Sequence, residues 1–183
     1  EIPVMDKKLW RFFRLRPANF PPLRIAQAVA MLQPGGLLHR DPIGTLVQAL
    51  ADEDPVAALR IVLQATPGPF WETHIRLEKA TKPRNPAIGT SRLNALIANA
   101  VVPVLLLYAE QSSDPVLEQA LFEVLRQLPP EHDAITRRFE DLDFKIRDAF
   151  MAQGLHQLYR TRCREARCLT CAIGRCVLDP GSE

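Results

Sequence analysis

The chain has 183 residues, 47% of them hydrophobic and 24% charged, with 23 Lys and Arg against 21 Asp and Glu for a formal net charge of +2. That length and apolar content suffice to bury one sizeable core, as a single domain or a domain with a small appendage. The most apolar stretch, 95–108, is interrupted by Asn99 and Pro103 and is too short for a membrane span, so it reads as a buried helix and no membrane is expected as a partner.

Charge is unevenly spread. Residues 1–40 carry seven Lys or Arg against two acids, and 145–176 again seven against two, while 41–144 carry nine against fifteen. Brought together, the two ends would form one basic face of the kind that meets a polyanion; apart, they are two solvated helical faces.

In chain order, the opening 9–27 reads LWRFFRLRPANFPPLRIAQ. Pro17, Pro21 and Pro22 keep its first part out of a helix, and Pro22 suits the first turn of a helix running to about 33. Arg14, Arg16, Asn19, Arg24 and Gln27 could brace a core through carbonyls and aromatic faces, or hold a phosphate. Pro34, Gly35 and Gly36 end this helix. A second helix is expected over 42–51, and a third after Asp54, with Pro55 at its first position. The segment 70–77 places Trp71 and His74 on one helical face, where His74 is expected simply to be hydrogen-bonded. A polar stretch over 79–89 is where flexibility or a binding loop would be sought.

Thr90 or Ser91 is expected to cap the longest helix, apolar nearly all round and kinked at Pro103, with Asn94 and Asn99 satisfied by neighbours. Ser113 or Asp114 then caps a helix that turns Val116, Leu117, Ala120, Leu121, Val124, Leu125 and Leu128 inward. Two more helices fit 133–142 and 146–159, and a short one starts near Cys168. No alternating run of strand length is present. The fold class is therefore all-α, an irregular bundle of roughly seven to eight helices. It is organised as a helical domain over 1–160 with a cysteine-rich C-terminal loop, 161–183, packed on it.

All four cysteines, Cys163, Cys168, Cys171 and Cys176, fall in that loop with the spacing C-x4-C-x2-C-x4-C. Such crowding has three explanations: a metal site, disulfides, or reduced thiols packed side by side. Structural zinc usually takes two short knuckles from separate parts of the chain, whereas one compact loop around a C-x2-C reaches the corners of an iron–sulfur cluster. The spacing leans to the cluster and keeps zinc as the alternative. Residues 1–11 lack the apolar core of a signal peptide, so a reducing, cytoplasmic setting is expected and stable disulfides are not. Arg160, Arg162, Arg164, Arg167 and Arg175 surround the thiols and would balance an anionic cluster or a nucleic-acid phosphate. No phosphate loop, dinucleotide fingerprint, zinc-protease helix or nucleophile elbow is present, and no catalytic residue is assigned.

RLRPANFPPLRIAQ at 14–27, Trp71 with His74, Gly89 with Ser91, NAVVPVLLLYA at 99–109 and the terminal C-x4-C-x2-C-A-I-G together resemble the C-terminal half of an uncharacterised bacterial family, domain of unknown function 2851. The resemblance implies longer members whose N-terminal half is similar to restriction-endonuclease-like nuclease cores. It would make this chain a fragment or a separately encoded accessory region without the catalytic carboxylates. The family pattern is strongest on Cys163, Cys168 and Cys171.

Two functions follow as expectations. One is an accessory nucleic-acid-binding module in which Arg14, Arg16, Arg24, Arg160, Arg162, Arg164 and Arg167 contact phosphate while a cysteine-ligated metal or iron–sulfur cluster braces the loop. The other is a scaffold that docks a nuclease-like half or a separate partner chain without touching nucleic acid.

Overall fold

A computed structural model describes residues 6, 9, 19–39 and 41–178, with the side chains of 176–178 outside the description. Among these residues the backbone is all-α apart from one short hairpin, and the chain divides into two compact units, Glu1–Ile97 and Ala98–Glu183.

The first unit begins with α1, Pro21–Leu32, whose two leading prolines lack the amides that a helix start leaves unpaired anyway. Gly35, at φ +87°, supplies the left-handed turn that follows it. Asp41 caps α2, Pro42–Leu50, and Asp54 caps α3, Pro55–Leu63, each accepting a hydrogen bond from an amide three residues on, at 2.9 Å. Such caps each contribute about 1 kcal/mol. The paired helices bury Leu46, Ala49, Val56, Leu59 and Leu63. One turn of helix, α4, Phe70–Thr73, then leads into an antiparallel hairpin of β1, His74–Arg76, and β2, Lys79–Ala80. The unit closes with α5, Thr90–Leu96, tied to α3 where Arg60 Nε donates to Asn94 Oδ1 at 2.9 Å.

Three sequence expectations change here. The hairpin was not foreseen, because three residues paired with two offer no alternation to read. His74 does not share a helix with Trp71, since α4 ends at Thr73. Instead its ring stacks on Phe70 with centroids 4.0 Å apart, and its Nδ1–H donates to the Phe70 carbonyl at 3.0 Å. The expected cap of α5 also moves: Gly89 occupies the cap position, and no side chain caps the helix.

From α5 the helical backbone continues unbroken to Ser112, through a π-helical turn at Ile97–Val101 and α6, Val102–Ser112. Pro103 explains the widened turn. It has no N–H to return to the carbonyl of Asn99, and its ring crowds that carbonyl. At 23 residues it is the long helix expected from about Thr90 to Glu110, and by length and composition alone it would reach across a bilayer. Core helices pass the same test, and Leu93, Ile97, Val102, Leu105 and Ala109 along it are buried. Asn99 is exposed rather than buried; its amide donates to Glu131 Oε1 at 3.0 Å and accepts from Gln153 Nε2 at 3.2 Å.

In the second unit, Ser113 takes a left-handed conformation that ends α6, and Asp114 caps α7, Pro115–Gln127. Leu117, Leu121, Val124 and Leu125 face the core, but Val116 is 79% exposed. It sits in the first turn and lies off that stripe. Asp133 caps α8, Ala134–Glu140, in a reciprocal capping box with Thr136. Asp148 caps α9, Ala149–Leu158. Helices α7 and α9 meet where Phe122 and Phe150 pack edge to face and Arg126 lies over the Phe150 ring.

Candidate nucleic-acid interface

Helix α9 does not stop at Leu158 but widens into a π-helical turn, Tyr159–Cys163. Two successive wide bonds close it: Arg164 N donates to Tyr159 O at 2.8 Å, and Arg167 N donates to Arg162 O at 2.9 Å. Ala166, at φ 52°, reverses the chain, an uncommon conformation for a residue with a Cβ. A 3-10 turn, Cys168–Thr170, follows, and then α10, Ala172–Leu178. Cys171 N donates to Cys168 O at 3.1 Å, so the C-x2-C pair brackets one tight turn. A Cβ on Gly174 would fall 2.3 Å from the Cys168 carbonyl oxygen, so α10 lies directly on that turn and only glycine fits there. Arg162 Nη1 donates to Thr170 Oγ1 at 3.0 Å and ties the π-helical turn to the 3-10 turn.

The result is a compact knuckle that presents five arginines, Arg160, Arg162, Arg164, Arg167 and Arg175, with Glu165 the one acid among residues 159–176. Arg160, Arg164, Arg167 and Arg175 are exposed, and Arg162 is half-buried. Arg167 pairs with Glu165 at 2.7 Å, both side chains about half exposed, so this pair contributes little and is easily exchanged for another anion. Arg138 on α8 joins the group: its Nη1 donates to Tyr159 Oη at 2.9 Å and its guanidinium lies 5.2 Å from the Tyr159 ring centre.

Of the cysteines, Cys163 and Cys168 are exposed, Cys171 is buried, and all three are free thiols. Among the described residues no three cysteine, histidine or carboxylate side chains are gathered closely enough to hold a metal. The side chain of Cys176 lies outside the described residues.

Arg14 and Arg16 also lie outside the described residues. Arg24 is half-buried and used within the fold: one terminal nitrogen donates to Gln27 Oε1 at 2.7 Å and the other to Asn19 Oδ1. Burial, and then the neighbouring Arg92, push its pKa below the ordinary arginine value. Gln27 is itself buried and donates to the Pro86 carbonyl at 2.8 Å. This network braces α1 against the segment around Pro86. The aromatic-face role expected in this region falls to Arg76, whose guanidinium lies 4.9 Å from the Phe20 ring centre.

The family model described as protein of unknown function (DUF2851) matches residues 1–134. The chain belongs to this family. The DUF2851 match covers the whole first unit and the second as far as the start of α8. The knuckle and all four cysteines of this DUF2851 chain lie beyond it. No curated protein matches the chain, and no solved structure does.

Sequence reasoning missed Arg138, which stands 21 residues from its partner Tyr159. One of two adjacent arginines on an acid-capped helix carries no signal of that pairing. It also missed Gly174 as the residue that seats α10, although a glycine three residues past a C-x2-C is a readable hint of close backbone approach.

Proposed function

We propose that the second unit of this chain is an accessory nucleic-acid-binding module of a nuclease-like bacterial protein of the cytoplasm, and that the knuckle is its contact surface. One observation carries the reading: five arginines and a single acid are gathered on a short segment, 159–176, whose backbone is closed by its own hydrogen bonds. Arginines carried on an ordered backbone meet phosphate oxygens without the entropy cost of ordering a loose tail, although their own side chains still have to be ordered. Arg160 and Arg164 are the leading contacts, Arg167 joins once it releases Glu165, and Tyr159 offers a ring beside the track. Arg162 contributes charge while bracing Thr170.

The cysteine spacing supports a second element of the proposal. Cys163, Cys168, Cys171 and Cys176 hold a metal, an iron–sulfur cluster or else zinc, that locks the knuckle. The three described thiols are not gathered as they stand, so loading would require the segment to close around the ion. The support for it is the spacing and the tight C-x2-C turn alone.

The test is equilibrium binding of a fluorescently labelled short duplex and its single strand to the full chain and to the Arg160→Glu, Arg164→Glu double variant. At 50 mM salt the double variant should bind at least about tenfold more weakly, since each lost charge-assisted contact is worth roughly 1.5–3 kcal/mol net of water. Equal binding would overturn the proposal.

The rival reading, a scaffold that docks a nuclease-like half or a separate partner chain, has one observation in its favour. Ile25, Val29 and Leu32 on α1, at helical spacing, are each about half exposed. Concentration-independent monomers with no loss of solubility in the isolated chain would count against it.

A further inference from the structure

The polar stretch that ends at Gly89, expected from sequence to be loose, is stitched to the first unit along its length. Thr81 N donates to the Thr73 carbonyl at 2.6 Å, and Arg84 N donates to the Glu72 carbonyl at 2.9 Å. Pro86 O accepts from Gln27, and Pro86 and Ile88 are buried. The backbone of Arg84 is therefore fixed. Its side chain is not satisfied: Nε and Nη2 are both shielded from solvent, and neither has a hydrogen-bond partner. These two donors share one edge of the guanidinium, the edge that forms paired parallel bonds to two oxygens of one acid group. Burial also lowers the Arg84 pKa, as expected for a cation removed from water without a counter-charge.

The segment around Arg84 is short of counter-charge. Arg24 and Arg92 are close enough to repel each other, and Arg24 is tied through Gln27 to Pro86, two residues from Arg84. Among the described residues no carboxylate pairs with Arg24, Arg84 or Arg92. With no carboxylate partner, the two donors on the Arg84 edge suit two oxygens of one phosphate group, which a guanidinium meets with paired bonds.

We propose that the Nε and Nη2 edge of Arg84 anchors a phosphoryl-binding site in the first unit, taking two oxygens of one phosphate group. Binding requires the cover over this edge to move aside, because both donors are shielded from solvent. This site uses none of the knuckle arginines and stands or falls independently of them.

The experiment titrates inorganic phosphate onto the full chain, following the Arg84 Nε–H resonance by nitrogen-15 NMR, assigned by its loss in Arg84→Lys. A saturable shift at millimolar phosphate that chloride at equal ionic strength does not reproduce supports the site. A parallel arm uses a short oligothymidylate. A response to the oligonucleotide alone makes the phosphate a nucleic-acid backbone group, and a response to inorganic phosphate makes free phosphate sufficient. In Arg84→Gln, the phosphate-dependent rise in melting temperature should disappear, corresponding to at least about tenfold weaker binding. An unmoved Nε–H resonance in both arms overturns the proposal, and the unsubstituted chain decides this even if Arg84→Gln fails to fold. An Arg84→Met variant that melts higher and keeps the full phosphate response would also overturn it.

Discussion

Gly174 approaches Cys168 so closely that an added Cβ would sit 2.3 Å from the Cys168 carbonyl oxygen. Backbone rather than a flexible side chain blocks that space, so Gly174→Ala forces α10 off the 3-10 turn. Overpacking of this kind costs about 1–3 kcal/mol, here confined to the knuckle. Cys171, buried in the parent, should then alkylate about tenfold faster or more, read by iodoacetamide labelling and peptide mass spectrometry. Exposed Cys163 should change little. Unchanged labelling of Cys171 would show that α10 does not shield it.

Helix starts were the most legible part of the fold, because their chemistry is local. Asp54 with Pro55 and Asp114 with Pro115 announce caps that the structure realises through side-chain bonds. The knuckle was legible as a cluster but not as a shape: its π-helical turn and the left-handed Ala166 depend on bonds between residues with no sequence signature. Helical periodicity placed Val116 inward because it extends the apolar run of α7 by one residue, and periodicity cannot see where a first turn meets solvent. Arg84 was invisible for a different reason. What singles it out is the lack of a partner, and an absent hydrogen bond leaves no pattern in a sequence.

The core of the second unit offers a direct comparison. Leu121 is fully buried on α7, so Leu121→Ala should destabilise the chain by about 2–5 kcal/mol. Val116→Ala on the same helix should stay within roughly 0.5 kcal/mol. Urea unfolding followed by circular dichroism measures both. A similar cost at the two positions would contradict the burial pattern of α7.

Asp133 lies 2.8 Å from His156 Nε2 and caps α8. Burial by itself raises the pKa of its carboxyl, but hydrogen bonds from the Thr136 and Ile135 amides, the nearby His156 and the Thr136 hydroxyl outweigh it and hold the carboxyl below the ordinary value. A carboxyl whose pKa is lower in the folded chain stabilises it fully above the unfolded value, about 3.9, and the contribution disappears as pH falls through the folded value. Asp133→Asn retains a capping side chain and removes the charge. The urea midpoints of the parent and this variant should therefore differ at pH 7 and converge as the pH is lowered past the folded value. A constant gap would mean that the charge is irrelevant.

Metal loading has its own readout. Protein purified without oxygen should show a broad brown absorption with matching iron and sulfide if the four cysteines hold a cluster, and stoichiometric zinc without colour if they hold zinc. Protein free of iron, sulfide and zinc would remove the metal from the proposed function and leave the arginine surface to stand alone.

The most direct test of nucleic-acid binding is the salt dependence of affinity for a labelled duplex. Four phosphate contacts at the knuckle imply a slope of log K against log salt of about −3.6, or roughly a hundredfold loss of affinity between 50 and 200 mM. Arg164→Glu should flatten that slope by about one contact or more. Affinity that stays constant across this range would contradict the knuckle as a phosphate-binding surface.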